Sequence, residues 1–318
     1  MVETLNSSGA ARFWGAAEDV VNGAVSSALG GVSLVVTLLV LVIVAVNRAP
    51  STRGSAFATL STAMAVADAG VLLGFTLWMG PLTATQATSL AAGASGRLVG
   101  RVMMFGWFAS IFAVLAMAVN RAVAMAFPFQ YERIFAGPNT LAVAAASWCA
   151  ALLIFSSTLP EGCGPHYKPE VYHWAFQDTP CGAAIAFYID LWLSLAVIAL
   201  ILFFNGVALL FVRKGNLALL AVAVSGGGGG LEMVGQAVEA ERRRRRRQEL
   251  RFLVVTFANV GALVAAVVSF HVGWRVAPSK WGIYSTATLA WIAAQSSNGF
   301  LIAICLKDVR KQMFSCAS

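Results

Sequence analysis

Seven stretches of this 318-residue chain are long and apolar enough to cross a lipid bilayer as helices. A spanning helix needs about 20 mostly apolar residues, because each residue advances about 1.5 Å through a hydrocarbon core about 30 Å thick. One soluble core cannot hide a chain that is 59% hydrophobic and only 11% charged. The predicted spans are Ser26–Val46, Phe57–Met79, Leu98–Met125, Thr140–Leu159, Ala183–Val212, Leu250–Val272 and Trp281–Leu306.

These stretches predict an all-α membrane protein built as a seven-transmembrane helix bundle. A backbone exposed to lipid must satisfy its hydrogen bonds within the segment, and the sequence lacks the alternating pattern of a membrane β-barrel. The expected organisation is an N-terminal segment 1–25, a transmembrane domain 26–306 and an amphipathic tail 307–318. A Gly run and an Arg-rich stretch predict a flexible third cytoplasmic loop at 213–249.

Basic residues are distributed unevenly between the two sides of the predicted bundle. With the N-terminus outside, 16 of the 22 Lys and Arg residues face the cytoplasm, which agrees with the positive-inside rule. Asn6 begins an Asn-Ser-Ser triplet, a glycosylation acceptor that this topology exposes to the lumen, although such triplets also arise by chance. We therefore predict an extracellular N-terminus.

The Arg242–Arg247 run falls on the cytoplasmic side of this topology. We expect it to be attracted to a bilayer whose inner leaflet is anionic, and direct contact with a signalling partner is the alternative. No nucleic-acid partner is expected.

Two acids fall within the predicted spans, where ionisable side chains are costly and seldom idle. Asp190 lies toward the outer end of the fifth span. We expect it to pair with Arg97 or Arg101, and the alternative is that it anchors a cationic or hydroxylated ligand. His271, at the outer end of the sixth span, either lines a pocket or is simply solvated. The other acid, Asp68, lies deep in the second span.

The five cysteines divide by position. Cys163 and Cys181 share a loop predicted to be extracellular, where an oxidising environment permits a disulfide, and we predict that they form one. Cys149 and Cys305 fall inside spans and are typical small packing residues. Cys316 follows the last span and is a candidate for palmitoylation, a modification that a juxtamembrane Cys indicates only weakly.

Enzymatic membrane proteins fit the sequence poorly. The last span contains no Lys for a retinal Schiff base, and the spans carry no set of paired residues typical of an intramembrane protease. We therefore expect neither catalytic residues nor a catalytic metal centre. A ligand-gated ion channel subunit, or another seven-helix membrane protein that acts without a G protein, is one non-enzymatic class to weigh. A channel subunit of inverted topology requires a cytoplasmic N-terminus, against the charge distribution and Asn6.

The third span ends in a distinctive set of residues, namely Asn120, Arg121, Ala122, Pro128, Tyr131 and Phe135. This set is similar to the NRF...P..Y..IF pattern of the nematode serpentine receptors of class x. A loop with Cys163, Trp174, Phe176 and Cys181 resembles that family's C...W.F...C segment, and the sequence from Asn298 to Arg310 resembles its DG..F..FN.E.R ending. The resemblance spans all seven helices except the third cytoplasmic loop.

The resemblance implies a rhodopsin-like, G-protein-coupled chemosensory receptor of the plasma membrane, with a small-molecule ligand and a heterotrimeric G protein as partners. It implies that Asn120, Arg121 and Ala122 serve G-protein coupling. Glu249 immediately precedes the sixth span and is therefore the best-placed acid to restrain Arg121, and the alternative is that it only neutralises its Arg-rich neighbours. A ligand pocket is then expected near Arg101, Met104, Asp190, His271 and Trp291.

The resemblance also implies a role for Asp68 within the bundle. Such an acid belongs to an activation network with a polar partner like Asn298 and is a possible Na⁺ site. The alternative is a neutral carboxyl group that hydrogen-bonds to Ser or Thr.

The chain departs from the usual receptor pattern at several positions. Asn120 stands where an Asp is common, and Asn298-Gly299 replaces Asn-Pro, with Ile302 where a Tyr is usual. The sixth span has no CWxP sequence. Gly96 occupies the place of the Cys that usually ties the top of the third helix to the following loop. These departures leave the expected fold intact but predict an altered switching mechanism.

Overall fold

A computed structural model describes residues 2–45, 56–225, 256–277 and 279–305. Side chains are described within these ranges except at 2–15, 45, 215–225, 274 and 305. The predictions for Glu249, Cys316 and Arg242–Arg247 fall outside the described residues, and the side chain of Asn6 falls outside the described side chains.

Within the described ranges, seven helices are long and apolar enough to span a membrane. Helix α1 runs over Val2–Ala45, and its apolar part is Ala16–Val44. The other spans are α2 Ala56–Thr85, α3 Ala94–Ala126, α4 Gly137–Ser157, α5 Pro180–Lys214, α6 Thr256–Gly273 and α7 Lys280–Ile304. The seven-helix bundle predicted from hydropathy is therefore confirmed.

Two helix boundaries differ from the sequence prediction. The first span begins about one third of the way along α1, at Ala16, rather than at Ser26. The helical segment Ser194–Ser225 continues past Val212, so the described part of the predicted third loop is helical. Its apolar residues 217–224 extend the composition of the span, which favours continuation of the helix.

Capping residues determine where α5 and α7 begin. Thr179 Oγ1 accepts a hydrogen bond from the Gly182 N–H at 3.0 Å, and Pro180 follows at the start of α5. Ser279 Oγ accepts one from the Gly282 N–H at 3.2 Å at the start of α7. In both cases the cap satisfies a backbone donor that has no partner within the helix.

Helix α3 is the centre of the bundle, where it packs against α2, α4 and α5. Helix α1 packs against α2 and α7. The outer surface of the spans carries large apolar side chains that are well exposed, among them Leu77, Leu141, Leu153 and Phe203. Such a surface suits lipid, since in water it would favour aggregation.

Four spans contain π-helical segments, which are Gly74–Met79 in α2, Ile185–Leu193 in α5, Ser269–Gly273 in α6 and Tyr284–Leu289 in α7. Short helices at Thr88–Ala92, Pro128–Ile134 and Trp274–Val276 lie between or after spans. A π turn changes the rotation of the residues that follow it and is frequent at functional sites.

A β-hairpin connects α4 to α5. Strand β1, Pro165–Lys168, pairs antiparallel with β2, His173–Phe176, and a 3₁₀ turn at Pro169–Val171 joins them. The Cys163–Cys181 disulfide brackets the hairpin, so this predicted bond is confirmed in the structure. We call the end of the bundle that carries this hairpin the hairpin end.

The hairpin lies directly on the bundle. A Cβ atom at Gly100 of α3 would contact the Pro165 carbonyl oxygen and come within 2.9 Å of the Trp174 ring, so only glycine permits this approach. Tyr167 Oη lies 2.6 Å from Thr83 Oγ1 of α2. The hairpin is therefore held against α2 and α3 without a disulfide to α3.

Tyr172 fastens the tip of the hairpin to two further helices. Its φ of 54° places it in the left-handed region, and its side chain is fully buried. Its hydroxyl donates a hydrogen bond to the Asp19 carboxylate of α1. Thr288 of α7 donates a hydrogen bond of 2.7 Å to the Tyr172 carbonyl oxygen.

Candidate functional site

A cavity lies beneath the hairpin, and the atom-free space of about 500 Å³ within it is partly open to solvent. We call it the hairpin cavity. Helices α3, α5, α6 and α7 form its walls, and the hairpin contributes part of its lining. The lining residues are Met104, Trp107, Pro165, Trp174, Phe176, Asp190, Ala266, Val267, Phe270, His271 and Trp291.

Four of the five residues predicted to form a pocket lie together in this lining, namely Met104, Asp190, His271 and Trp291. Their contact with a ligand stays a prediction. Arg101 is not among the lining residues, because its guanidinium Nη2 donates a hydrogen bond of 3.0 Å to the Leu159 carbonyl at the end of α4.

Trp291 is the centre of an aromatic cluster that joins four parts of the fold. Its ring packs edge-to-face with Phe75 of α2 at 5.3 Å between centroids and with Trp107 of α3 at 6.1 Å. Similar contacts join it to Phe270 of α6 at 6.1 Å and to Trp174 of the hairpin at 6.4 Å. Each such pair contributes about 0.5–1.5 kcal/mol beyond its buried area.

Asp190 pairs with His271, across the cavity from α5 to α6. The His271 Nε2 and Asp190 Oδ2 atoms are 3.2 Å apart, and both side chains are largely buried. The predicted pair between Asp190 and Arg97 or Arg101 is therefore wrong. Arg97 instead donates a hydrogen bond of 2.8 Å to the Ala92 carbonyl, and Arg101 is engaged at Leu159.

Two indole N–H groups in the cavity wall lack acceptors. Trp174 Nε1 and Trp291 Nε1 are buried and have no hydrogen-bond partner within the described part of the chain. Trp107 differs, since its Nε1 donates to Ser194 Oγ at 3.5 Å. An unpaired buried donor loses its water without replacement, at a cost of about 1–3 kcal/mol.

His173 on strand β2 is buried beside the cavity wall. Its ring lies 5.2 Å from that of Phe270. Burial lowers the pKa of His173 to about 4, and Lys168, His271 and His166 act in the same direction. The imidazole is therefore neutral at pH 7.

A buried polar network lies deeper in the bundle, around Asp68 of α2. Ser110 of α3 donates a hydrogen bond of 2.6 Å to Asp68 Oδ1, and Asn298 of α7 donates one of 2.8 Å to Asp68 Oδ2. The structure thus brings together the two residues predicted to form a network. The Ser partner of the alternative interpretation is present as well, so the contacts agree with both interpretations.

A second cavity lies toward the opposite end of the bundle, and the atom-free space of about 390 Å³ within it is partly open to solvent. We call it the Arg121 cavity, and its lining is Phe57, Met64, Val114, Met117, Ala118, Arg121, Thr256, Asn259, Asn298 and Ile302. The Arg121 guanidinium carbon lies 5.9 Å from the centre of the Phe57 ring, which permits a cation–π contact.

The residues on either side of Arg121 are buried. The Asn120 amide donates a hydrogen bond of 3.2 Å to Tyr131 Oη, and Tyr131 stacks on Phe135 with 5.6 Å between ring centroids. Ala122 packs inside the bundle. The neutral Asn120 thus ties the helix Pro128–Ile134 to α3.

Sequence reasoning missed several of these residues. Ser110 is a single hydroxyl within the apolar third span, and its position in the run was the available signal. Trp107 and Phe270 carried no distinguishing pattern, because aromatic residues are common throughout the spans. The partner of Tyr131 was also missed, since helix ends pack in ways that spacing along the chain does not specify.

Comparison with known proteins identifies a family and solved structures of similar fold. Residues 32–223 match the family model described as the serpentine type 7TM GPCR chemoreceptor Srx. No curated protein sequence matches the chain. The crystal structure of squid rhodopsin superposes with a TM-score of 0.71 at 12% identity, over 95% of this chain and 87% of the squid chain. At this identity the likeness shows the fold alone.

Proposed function

Because this chain belongs to the Srx family of serpentine G-protein-coupled chemoreceptors, we propose that a small extracellular molecule binds in the hairpin cavity and shifts G-protein coupling at the Arg121 end. The protein is a multi-pass membrane protein, for which the plasma membrane is the typical location of this class. The match to a chemoreceptor family does not favour the alternative function, that of an ion channel subunit.

One observation carries this proposal: helices α3, α6 and α7 line both the hairpin cavity and the Arg121 cavity. Helix α3 contributes Trp107 to the hairpin cavity and Arg121 to the other, and α6 contributes Phe270 and Asn259 respectively. Helix α7 contributes Trp291 and Asn298 in the same way. A ligand that prefers one packing of these helices must therefore alter the surroundings of Arg121.

Asn298 has a special place in this coupling. Its side chain bonds to Asp68 while the residue also lines the Arg121 cavity. A shift of α7 that begins at Trp291 would change both contacts.

We propose that Na⁺ binds at the polar network around Asp68. The carboxylate, the Ser110 hydroxyl and the Asn298 amide supply oxygen atoms of the kind that hard cations prefer. Gln295, one turn before Asn298 on α7, is buried and its Oε1 has no partner in the described residues. Na⁺ would neutralise the Asp68 charge, and these side chains would hold it.

The remaining parts of the proposal concern the membrane. The hairpin end would face outside and the Arg121 end the cytoplasm, with Asn6 glycosylated and Cys316 palmitoylated. The Arg242–Arg247 run would contact an anionic inner leaflet. An antibody against an N-terminal tag tests the orientation, because it should bind intact cells and not require permeabilised ones.

The decisive experiment measures nucleotide exchange on a heterotrimeric G protein by the purified receptor in lipid nanodiscs. The wild-type receptor should stimulate exchange, and Arg121→Ala should abolish this while surface expression stays unchanged. Arg133→Ala, a basic residue at the same end, is the matched control and should retain activity. Undiminished exchange in Arg121→Ala would remove the coupling assignment.

Glu249 adds a second test of the same switch. If it restrains Arg121, Glu249→Gln should raise ligand-independent exchange, by about 5- to 150-fold for a lost coupling of about 1–3 kcal/mol. If Glu249 only neutralises its Arg-rich neighbours, basal exchange should not rise. Glu249→Gln and Arg121→Ala are each compared with the wild type at matched surface levels.

A further inference from the structure

The chemistry of the hairpin cavity wall describes the molecule that fits it. Most of the wall is ring and aliphatic carbon, including Met104, Trp107 and Phe270. An occupant must therefore have a largely apolar body, because it exchanges water for these surfaces on binding. Aromatic rings on several sides also favour a planar or cyclic body.

The wall has no charge to spare for an ionic ligand. Its ionisable residues are Asp190 and His271, and these already face each other at 3.2 Å. A cationic ligand would have to displace His271 from the carboxylate. An anionic ligand would lie near Asp190 with no Lys or Arg in the wall. Either ion would lose its hydration without a free partner.

The wall does have hydrogen-bond donors to spare. The indole N–H groups of Trp174 and Trp291 are buried and lack acceptors within the described ranges, although their rings form part of the lining. Both nitrogen atoms are covered in the structure, so a ligand oxygen would reach one of them only after its ring tilts toward the cavity. The hydrogen bond would then remove the cost of an unpaired donor. The carbonyl oxygen of a ketone, aldehyde or ester is such an acceptor.

Resting on the receptor function proposed above, we propose that the hairpin cavity takes a small neutral molecule with an apolar body and one acceptor oxygen, which the indole N–H of Trp291 or Trp174 binds. Trp291 would then connect ligand binding to helix packing, because the same ring contacts Phe75, Trp107 and Phe270. Removal of the oxygen should weaken binding, whereas addition of a charge should weaken it further.

Four probes with one bicyclic skeleton test the proposal: tetralin, 2-tetralone, 2-aminotetralin and tetralin-2-carboxylic acid. Binding to the purified receptor in nanodiscs is measured by calorimetry and by the shift in thermal unfolding. The ketone should bind roughly 2- to 12-fold more tightly than tetralin, as expected for one neutral hydrogen bond. The amine and the acid should bind more weakly than tetralin.

Tighter binding of the amine or of the acid than of the ketone would overturn the ligand class. Failure of the ketone to bind up to its solubility limit would overturn it as well. Equal binding of ketone and tetralin would remove the role of the indole donors.

Two substitutions identify the donor. Trp291→Phe and Trp174→Phe keep an aromatic ring but remove the N–H, so at least one should abolish the preference for the ketone while tetralin still binds. Trp78→Phe is the matched control, because the Trp78 N–H is also buried and unpaired in the described structure but is not part of the cavity lining. It should keep the preference. If Trp291→Phe fails to fold, Trp174→Phe and the wild-type series still decide.

The result of the ligand-binding test can be distinguished from the result of the test of receptor function. Nucleotide exchange that depends on Arg121, together with preferred binding of the amine, would leave the function intact and refute the ligand class. Preferred binding of the ketone without any nucleotide exchange would support the ligand class and refute the function.

Discussion

Asn298 on α7 donates a hydrogen bond of 2.8 Å to Asp68 on α2, although 230 positions separate them along the chain. Ser110 on α3 binds the other carboxylate oxygen at 2.6 Å. One fully buried acid thus joins three helices. The network holds α7 at the point where the hairpin cavity gives way to the Arg121 cavity.

We predict that Asn298→Ala lowers the free energy of unfolding by about 1–3 kcal/mol, because it leaves one oxygen of a buried carboxyl group without its donor. Thermal unfolding in detergent measures this. Asn205→Ala is the matched control, since among the described residues the Asn205 amide bonds only to the Ile201 carbonyl of its own helix, at 2.7 Å. Equal losses in the two variants would show that the interhelical bond is unimportant.

The pairing of Asp190 with His271 predicts energetic coupling between those two residues. A double-mutant cycle of Asp190→Ala and His271→Ala should give an interaction free energy of about 0.5–3 kcal/mol in receptor stability. The cycle with Arg101→Ala is the control, and its two effects should add because Arg101 bonds to Leu159 instead. Coupling to Arg101 alone would restore the pair that the sequence suggested.

The disulfide between Cys163 and Cys181 should stabilise the hairpin. It closes a loop with a sequence separation of 18, for which the chain-entropy model gives about 3 kcal/mol. The double variant Cys163→Ser/Cys181→Ser should therefore unfold at a lower temperature, and Cys149→Ser, a change at a free cysteine, should not. If mass spectrometry of unreduced peptides finds both cysteines as free thiols, the disulfide is contradicted.

Protonation of His173 should weaken the hairpin in acid. Its pKa is about 4 in the folded chain against 6.5 in the unfolded one, so as the pH falls between these values only the unfolded chain gains the proton. The contribution of His173 to the free energy of unfolding is therefore constant above about pH 6.5. It falls by about 3 kcal/mol as the pH approaches 4.

His173→Phe should reduce this loss, because the unfolded variant has no imidazole to protonate at that position. Unfolding at several pH values, compared between wild type and variant, isolates the contribution of His173 from that of the carboxylates. Identical pH profiles for the two proteins would mean that His173 is not buried as described.

The number of spans and their approximate ends were decided by the sequence. Lipid demands a local property, a sufficiently long apolar run, and a local property can be read without knowing the neighbours. The Cys163–Cys181 bond was equally accessible, because both residues fall in one short connection. Asp68 and Asn298 were recognised through the resemblance to a receptor family, since nothing in their spacing indicates contact.

Only the tertiary structure decided which side chains meet across helices. The sequence suggested that Asp190 faces Arg101 of α3, yet its carboxylate faces His271 of α6. The rotation of α5 that decides this depends on its π segment, Ile185–Leu193, and on packing. Trp291 became the centre of an aromatic cluster only when α2, α3, α6 and the hairpin closed around it. Hydropathy fixes how deep a residue lies in the membrane, whereas its partners depend on helix rotation, which is determined by the packing of the whole bundle.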